Sequence, residues 1–180
     1  MNIMDPNSIK AFLGKSPKIG RSVFVASGAH IIGDVEIGEA SSIWFNTVIR
    51  GDFHHISIGS HTNIQDNSTV HITEGSGSTR IGSYVTIGHN AVIHACTIGD
   101  RCLVGMGSIV LDGAQISENS FIAAGSLVTP GKSFPPGVMI KGSPASVARL
   151  LTPEDIEGIK QSAHNYVKYA QSWNGKQGTC

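Results

Sequence analysis

The sequence predicts an all-β solenoid of about six triangular coils with a single C-terminal α-helix, and three observations carry that expectation. A β-branched aliphatic recurs every six residues through most of the span from Ile19 to Val128. Glycine is abundant, at 22 of 180 residues, while aromatics are only 6%. The one strong helical period begins after residue 151. Six residues suit neither a heptad nor a lone hairpin. A short strand plus a glycine-permitted corner uses up six, and three such units close one coil with its aliphatics pointing inward.

The elements follow in order. Residues 1–18 form an N-terminal segment outside the repeat. The repeat spans 19–131: Ile19, Val25, Ile31, Ile37, Ile43 and Ile49, then Ile58, Ile64 and Val70, then Ile81, Ile87 and Ile93, and last Ile98, Val104, Val110, Ile116, Ile122 and Val128. Successive coils pair at about 4.8 Å, and no coil is stable alone. Phe53 to Ser57 adds three residues to the sixfold count and Thr73 to Arg80 adds five, whereas Ala95 to Thr97 falls one short. Insertions into a solenoid gather on one functional face. Residues 132–151, rich in Pro and Gly, read as an extended connector. A helix over 152–174 takes Thr152 as N-cap and Pro153 as its first residue, with Glu154 and Asp155 in the first turn. Ile156, Ile159, Ala163, Val167, Ala170 and Trp173 then recur at helical spacing.

Charged residues make up just 14% of the chain, and Lys+Arg and Asp+Glu cancel at 13 each. That balance argues against nucleic acid and acidic membranes as partners. A surface so poor in charge points instead to association with further copies of the chain. With no basic stretch followed by an apolar run at the start, and no long apolar stretch, a cytoplasmic protein is expected. Cys96, Cys102 and Cys180 show no paired spacing and read as reduced thiols, the first two buried.

The residue after each aliphatic is normally small, so Arg50, Gln65, His71 and His94 stand out there. Arg50, His71 and His94 each follow the third aliphatic of a coil and so form one column, about 4.8 Å apart per coil. Asp66 and His89 each lie two residues after a second aliphatic and form another column on a different face. His71 and His94 can share one metal ion at about 2.0–2.1 Å from each nitrogen. His89 can reach that ion only from another copy, which predicts a threefold assembly with a site at each interface, and Arg50 pairing with Asp66 across it. Three neutral imidazoles leave zinc an open position for water and supply hydroxide at neutral pH, which Gln65 is placed to orient.

Three ordered stretches, VIRGD at 48–52, NIQDNSTVH at 63–71 and IGHNAVIHACTIG at 87–99, resemble the gamma-class carbonic anhydrase-like group of hexapeptide-repeat proteins. The resemblance implies a left-handed parallel β-helix, an exception to the usual crossover hand. It also implies a homotrimer, and zinc, with Fe(2+) or Co(2+) as alternatives, bound by His71, His89 and His94. Arg50, Asp52, Gln65 and Asp66 take roles near the metal, with Arg50, Asp52 and Asp66 read as interface or structural residues. The implied reaction is reversible hydration of carbon dioxide to bicarbonate by a metal-bound hydroxide. Asn165, in SAHNYVKY, is similar to an asparagine that approaches the metal in this family. Phe53 follows Arg50-Gly51-Asp52 where well-studied members carry an acid, and Glu74 is the only acidic residue in the loop after His71. Glu74, with His54 as an alternative, is therefore the candidate proton carrier. His30, His54, His55, His61 and His164 read as solvated or loop residues. Two rival functions fit the same fold: an acyl-CoA-directed transferase or thioesterase, the transferase needing a histidine base and no metal, and a non-catalytic scaffold stapled by metal.

Overall fold

The computed structural model of the chain describes residues 8–75 and 77–175. Three faces of short parallel strands run the length of a prism. The first stacks Ile19, Ile37, Ile58, Ile81, Ile98, Ile116 and Phe134 in register. The second stacks Val25, Ile43, Ile64, Ile87, Val104, Ile122 and Ile140. The third stacks Ile9, Ile31, Ile49, Val70, Ile93, Val110 and Val128. Apart from Ile9 and Ile19 at the open end, every one of these side chains is buried. Each such burial stabilises the fold by about 1.5–3 kcal/mol.

The prism therefore has seven coils, one more than the β-branched series indicates. Ile9, inside the segment read as lying outside the repeat, completes the first coil, and the sixfold period continues past Val128 as Phe134 and Ile140, inside the segment read as an extended connector. Ser133–Phe134 pairs with Gln115–Ile116, and Val138–Gly142 pairs with Phe121–Ile122 before turning back against Ala145–Leu150 as an antiparallel hairpin. An aromatic replaces the aliphatic at 134, and Pro135 and Pro136 disguise the spacing. Both prolines fall between strands, where no ladder N–H is lost.

Both insertions, and the shortfall at Ala95 to Thr97, lie at the edge between the third and first faces. Val48–Ile58 passes around this edge as one strand beside His30–Ile37, with a register shift between Gly33 and Val35. A Cβ at Gly51 would stand 2.6 Å from the Asp34 carbonyl oxygen, so only glycine fits between Arg50 and Asp52. In the second insertion Thr73 bridges Gly77, and the Thr79 hydroxyl donates to the His71 carbonyl. Ala95 adopts φ +44°, a left-handed corner that takes up the missing residue.

The helix, Pro153–Gly175, lies along the second face. Its start is a reciprocal box: the Asp155 N–H donates to Thr152 Oγ1 at 3.2 Å and the Thr152 N–H donates to Asp155 Oδ2 at 2.8 Å. Ile159, Ala163 and Ala170 are buried beneath it, and Tyr166 meets Trp44 edge-on at 5.4 Å. Trp173, expected on the inner stripe, stays 45% exposed while its ring touches Phe45. Among the described residues no helix is long and apolar enough to cross a membrane. Cys96 and Cys102 are buried in the prism, and Cys180 lies outside the described residues.

Candidate metal centre

Parallel pairing of Thr69–His71 with Val92–His94 buries Val70 against Ile93 and sets His71 beside His94 on the outer edge. His71 Nδ1 and His94 Nε2 face each other at 3.2 Å. The opposite nitrogen of each ring meets a carboxylate: His71 Nε2 lies 3.2 Å from Asp52 Oδ1, and His94 Nδ1 lies 2.7 Å from Asp112 Oδ1. An ionised carboxylate only accepts, so the nitrogens facing Asp52 and Asp112 carry the hydrogens. In the neutral rings, the two nitrogens that face each other are then both bare lone pairs.

Two facing lone pairs require a proton or a cation between them. Burial chiefly, with the Arg50 guanidinium and His94 adding to it, holds His71 below the usual imidazole range, which disfavours the proton. A tetrahedral zinc at about 2.0–2.1 Å from each nitrogen would hold two such ligands about 3.3 Å apart. The donor set thus fits a divalent cation without rearrangement of the strands. Asp112 is kept below the ordinary carboxyl range mainly by the Thr73 hydroxyl and, next among the favourable contacts, by His94, against the opposing effect of burial. Arg50 pairs with Asp52.

His89 stands in the second column. Its Nδ1 lies 2.7 Å from Asp66 Oδ2, and Asp66 Oδ1 accepts the Phe45 N–H at 3.2 Å. The same tautomer argument leaves the lone pair of His89 Nε2 open as an acceptor or cation ligand. His89 and Gln65 share a cleft of about 310 Å³ whose walls include Met106, Ser162 and Tyr166. Gln65 is buried and donates from Nε2 to Asn63 Oδ1 at 3.1 Å. Asn63 in turn donates to Thr86 Oγ1 at 2.9 Å, and the Thr86 and Ser162 hydroxyls join at 3.1 Å. This ladder fixes the plane of the Gln65 amide.

One chain thus brings together His71, His94, Asp52 and Arg50, and separately His89, Asp66 and Gln65. Among the described residues no three His, Cys, Asp or Glu side chains converge on one point. Within the chain Arg50 is paired to Asp52 and Asp66 to His89. Glu74 is exposed in the second insertion, and Asn165 accepts from Gln161 Nε2 at 2.8 Å on the helix, so neither joins the cluster of its own chain. Not all the remaining histidines are free in solvent. His55 Nδ1 meets Asp34 at 3.0 Å, and His61 stacks on Tyr84 at 4.7 Å. Sequence reasoning missed Asp112 and Thr73. The available signal was an acid two residues past Val110, one coil on from His94, but attention to the residue immediately after each aliphatic passed over it.

Comparison with known proteins agrees with the fold. The family described as "Bacterial transferase hexapeptide (six repeats)" matches residues 16–51 and 95–130, and its repeat identifies the coil as left-handed. "Gamma carbonic anhydrase 2, mitochondrial" of Arabidopsis thaliana is 51% identical over 87% of this chain, which spans 58% of that protein's length. "Probable carbonic anhydrase" of Methanocaldococcus jannaschii is 54% identical, covering 86% of this chain and 96% of its own. The crystal structure of a hexapeptide transferase family protein from Anaplasma phagocytophilum superposes with a TM-score of 0.90 at 45% identity, over 94% of this chain and 99% of that one. With identities of 51% and 54% over 87% and 86% of its length, the chain belongs to the gamma carbonic anhydrase family of hexapeptide-repeat proteins.

Proposed function

We propose that this chain is a homotrimeric carbonic anhydrase, converting carbon dioxide and bicarbonate at divalent cations held between copies. The observation that carries the reading is the facing pair, His71 Nδ1 and His94 Nε2, at 3.2 Å with each ring's other nitrogen held by a carboxylate. The names of the similar proteins support the reaction. His71 and His94 of one copy and the partner subunit's His89 would hold the ion. Zinc is the proposed ion, with Fe(2+) or Co(2+) as alternatives that imidazole also suits. When bound, the cation is a Lewis acid that lowers the pKa of water and so makes hydroxide available near neutral pH.

The chain's own residues do the rest. Asp52, Asp66 and Asp112 fix the three imidazole tautomers and ring orientations. Gln65, its amide plane fixed by Asn63, offers a neutral donor and acceptor to bicarbonate. Glu74, exposed in its loop, receives the proton, with His54 as the second acceptor. Asn165 neighbours Tyr166, which lines the His89 cleft, and is assigned to the rim of the site. The Arg50 side chain remains 44% exposed after pairing with Asp52 and keeps N–H groups for Asp66 of the partner subunit, setting the register between copies.

Metal content and carbon dioxide hydration, measured on anaerobically prepared protein loaded with Zn(2+) or Fe(2+), test the proposal. Hydration well above that of the metal-free protein is expected. Equal rates contradict it; stoichiometric metal without turnover would favour a staple between copies, and acyl-CoA turnover without metal would favour a transferase.

A further inference from the structure

Asp112 lies outside the histidine motifs, yet both of its carboxylate oxygens are engaged at the metal edge. Oδ1 accepts His94 Nδ1–H at 2.7 Å, and Oδ2 accepts the hydroxyl of Thr73. Thr73 opens the insertion that separates the coil of His71 from the next, and Thr79, near its other end, donates to the His71 carbonyl. The insertion is therefore tied at one end to His71 and at the other, through Asp112, to His94. With each oxygen occupied, the carboxylate cannot swing away from the ring without breaking a second bond.

We infer that Asp112 is the positioning residue for His94 and that Thr73 locks it, so that the insertion after His71 governs how tightly the edge binds a divalent cation. The inference rests on the cation reading of His71 and His94 and extends it to two residues and a loop. A purely structural pair predicts something different. Asp112 keeps a side-chain exposure of 41%, and ion pairs that open to water contribute little to stability. The signature of positioning is a loss of cation affinity and a change of His94 tautomer with little change in unfolding temperature. Outer partners of metal-binding histidines typically account for about 10–100-fold in metal affinity.

The test uses the full chain, with Zn(2+) itself as the probe, in competition with a chromophoric chelator. Long-range proton–nitrogen NMR of the metal-free protein reports the His94 tautomer. Asp112→Ala should weaken Zn(2+) binding by about 10–100-fold and move His94 away from the Nδ1–H form. Asp112→Asn, which keeps a neutral acceptor, should lose less. Thr73→Val should reproduce the direction of the change with the carboxylate still present. Wild-type Zn(2+) affinity and an unchanged His94 tautomer in Asp112→Ala overturn the positioning role and leave the cation site standing. A wild-type chain that binds no Zn(2+) overturns the cation reading, and the inference with it.

Discussion

His71 and His94, 23 residues apart in the chain, present unprotonated nitrogens to each other across 3.2 Å because Asp52 and Asp112 hold the hydrogens on the far side of each ring. The coil repeat brings the rings together. The carboxylates determine which nitrogens meet. Replacing either ring should therefore remove more than one ligand's share of affinity. His94→Ala is expected to lower Zn(2+) affinity by at least about 100-fold, with far-UV ellipticity unchanged; metal analysis after gel filtration checks it.

The prism core sets a second expectation. Ile93 is fully buried between Val70 and Val110 in the ladder that also positions His94. Ile93→Ala should cost about 2–5 kcal/mol of unfolding free energy, measured by denaturant titration, and should loosen the metal edge through the same strand. Ile109→Ala, on a partly exposed neighbour in the next coil, should cost much less.

The helix start supplies a pH-dependent contribution. The Arg149 guanidinium, with the Thr152 N–H adding to it, holds the Asp155 carboxyl well below the usual carboxylate range. A depressed folded-state pKa contributes stability above the unfolded carboxyl pKa and loses it as pH falls through the folded value. Far-UV ellipticity should fall in acid with a component that Asp155→Asn removes. Thr152→Ala should destabilise by about 1 kcal/mol through loss of the cap.

Much of this was legible in the sequence. The Ile/Val period gave the faces, and column phase separated His71 and His94 from His89, because a strict six-residue repeat converts position directly into direction. The seventh coil was not legible, since Phe134 left the β-branched pattern and two prolines masked the spacing. Asp112 was not legible either. It reaches back from the coil beyond His94, and its two bonds depend on a corner geometry that periodicity does not encode. The intrachain partners of Arg50 and Asp66 likewise follow from side-chain reach.

Burial pushes the Cys96 and Cys102 thiols up to about 12. Neither should react with iodoacetamide at mildly alkaline pH while the chain is folded, and both should react once denaturant is added; peptide-level mass spectrometry distinguishes the two. A folded-state pKa raised above the unfolded one contributes stability below the unfolded thiol pKa and loses it as pH rises towards 12. The unfolding midpoint should therefore decline in strong alkali, less so in the double Cys→Ala variant.

Subunit complementation tests the shared cation most directly. Chains carrying His89→Ala and chains carrying His94→Ala are expressed separately and together, and Zn(2+) per chain is measured in the purified trimers. Each variant alone should hold almost none. Random co-assembly pairs an intact His71/His94 edge with an intact His89 at about one interface in four, so the mixture should recover about a quarter of the wild-type metal. A mixture no richer in Zn(2+) than its parents, from trimers shown to contain both chains, would contradict a site built from two copies.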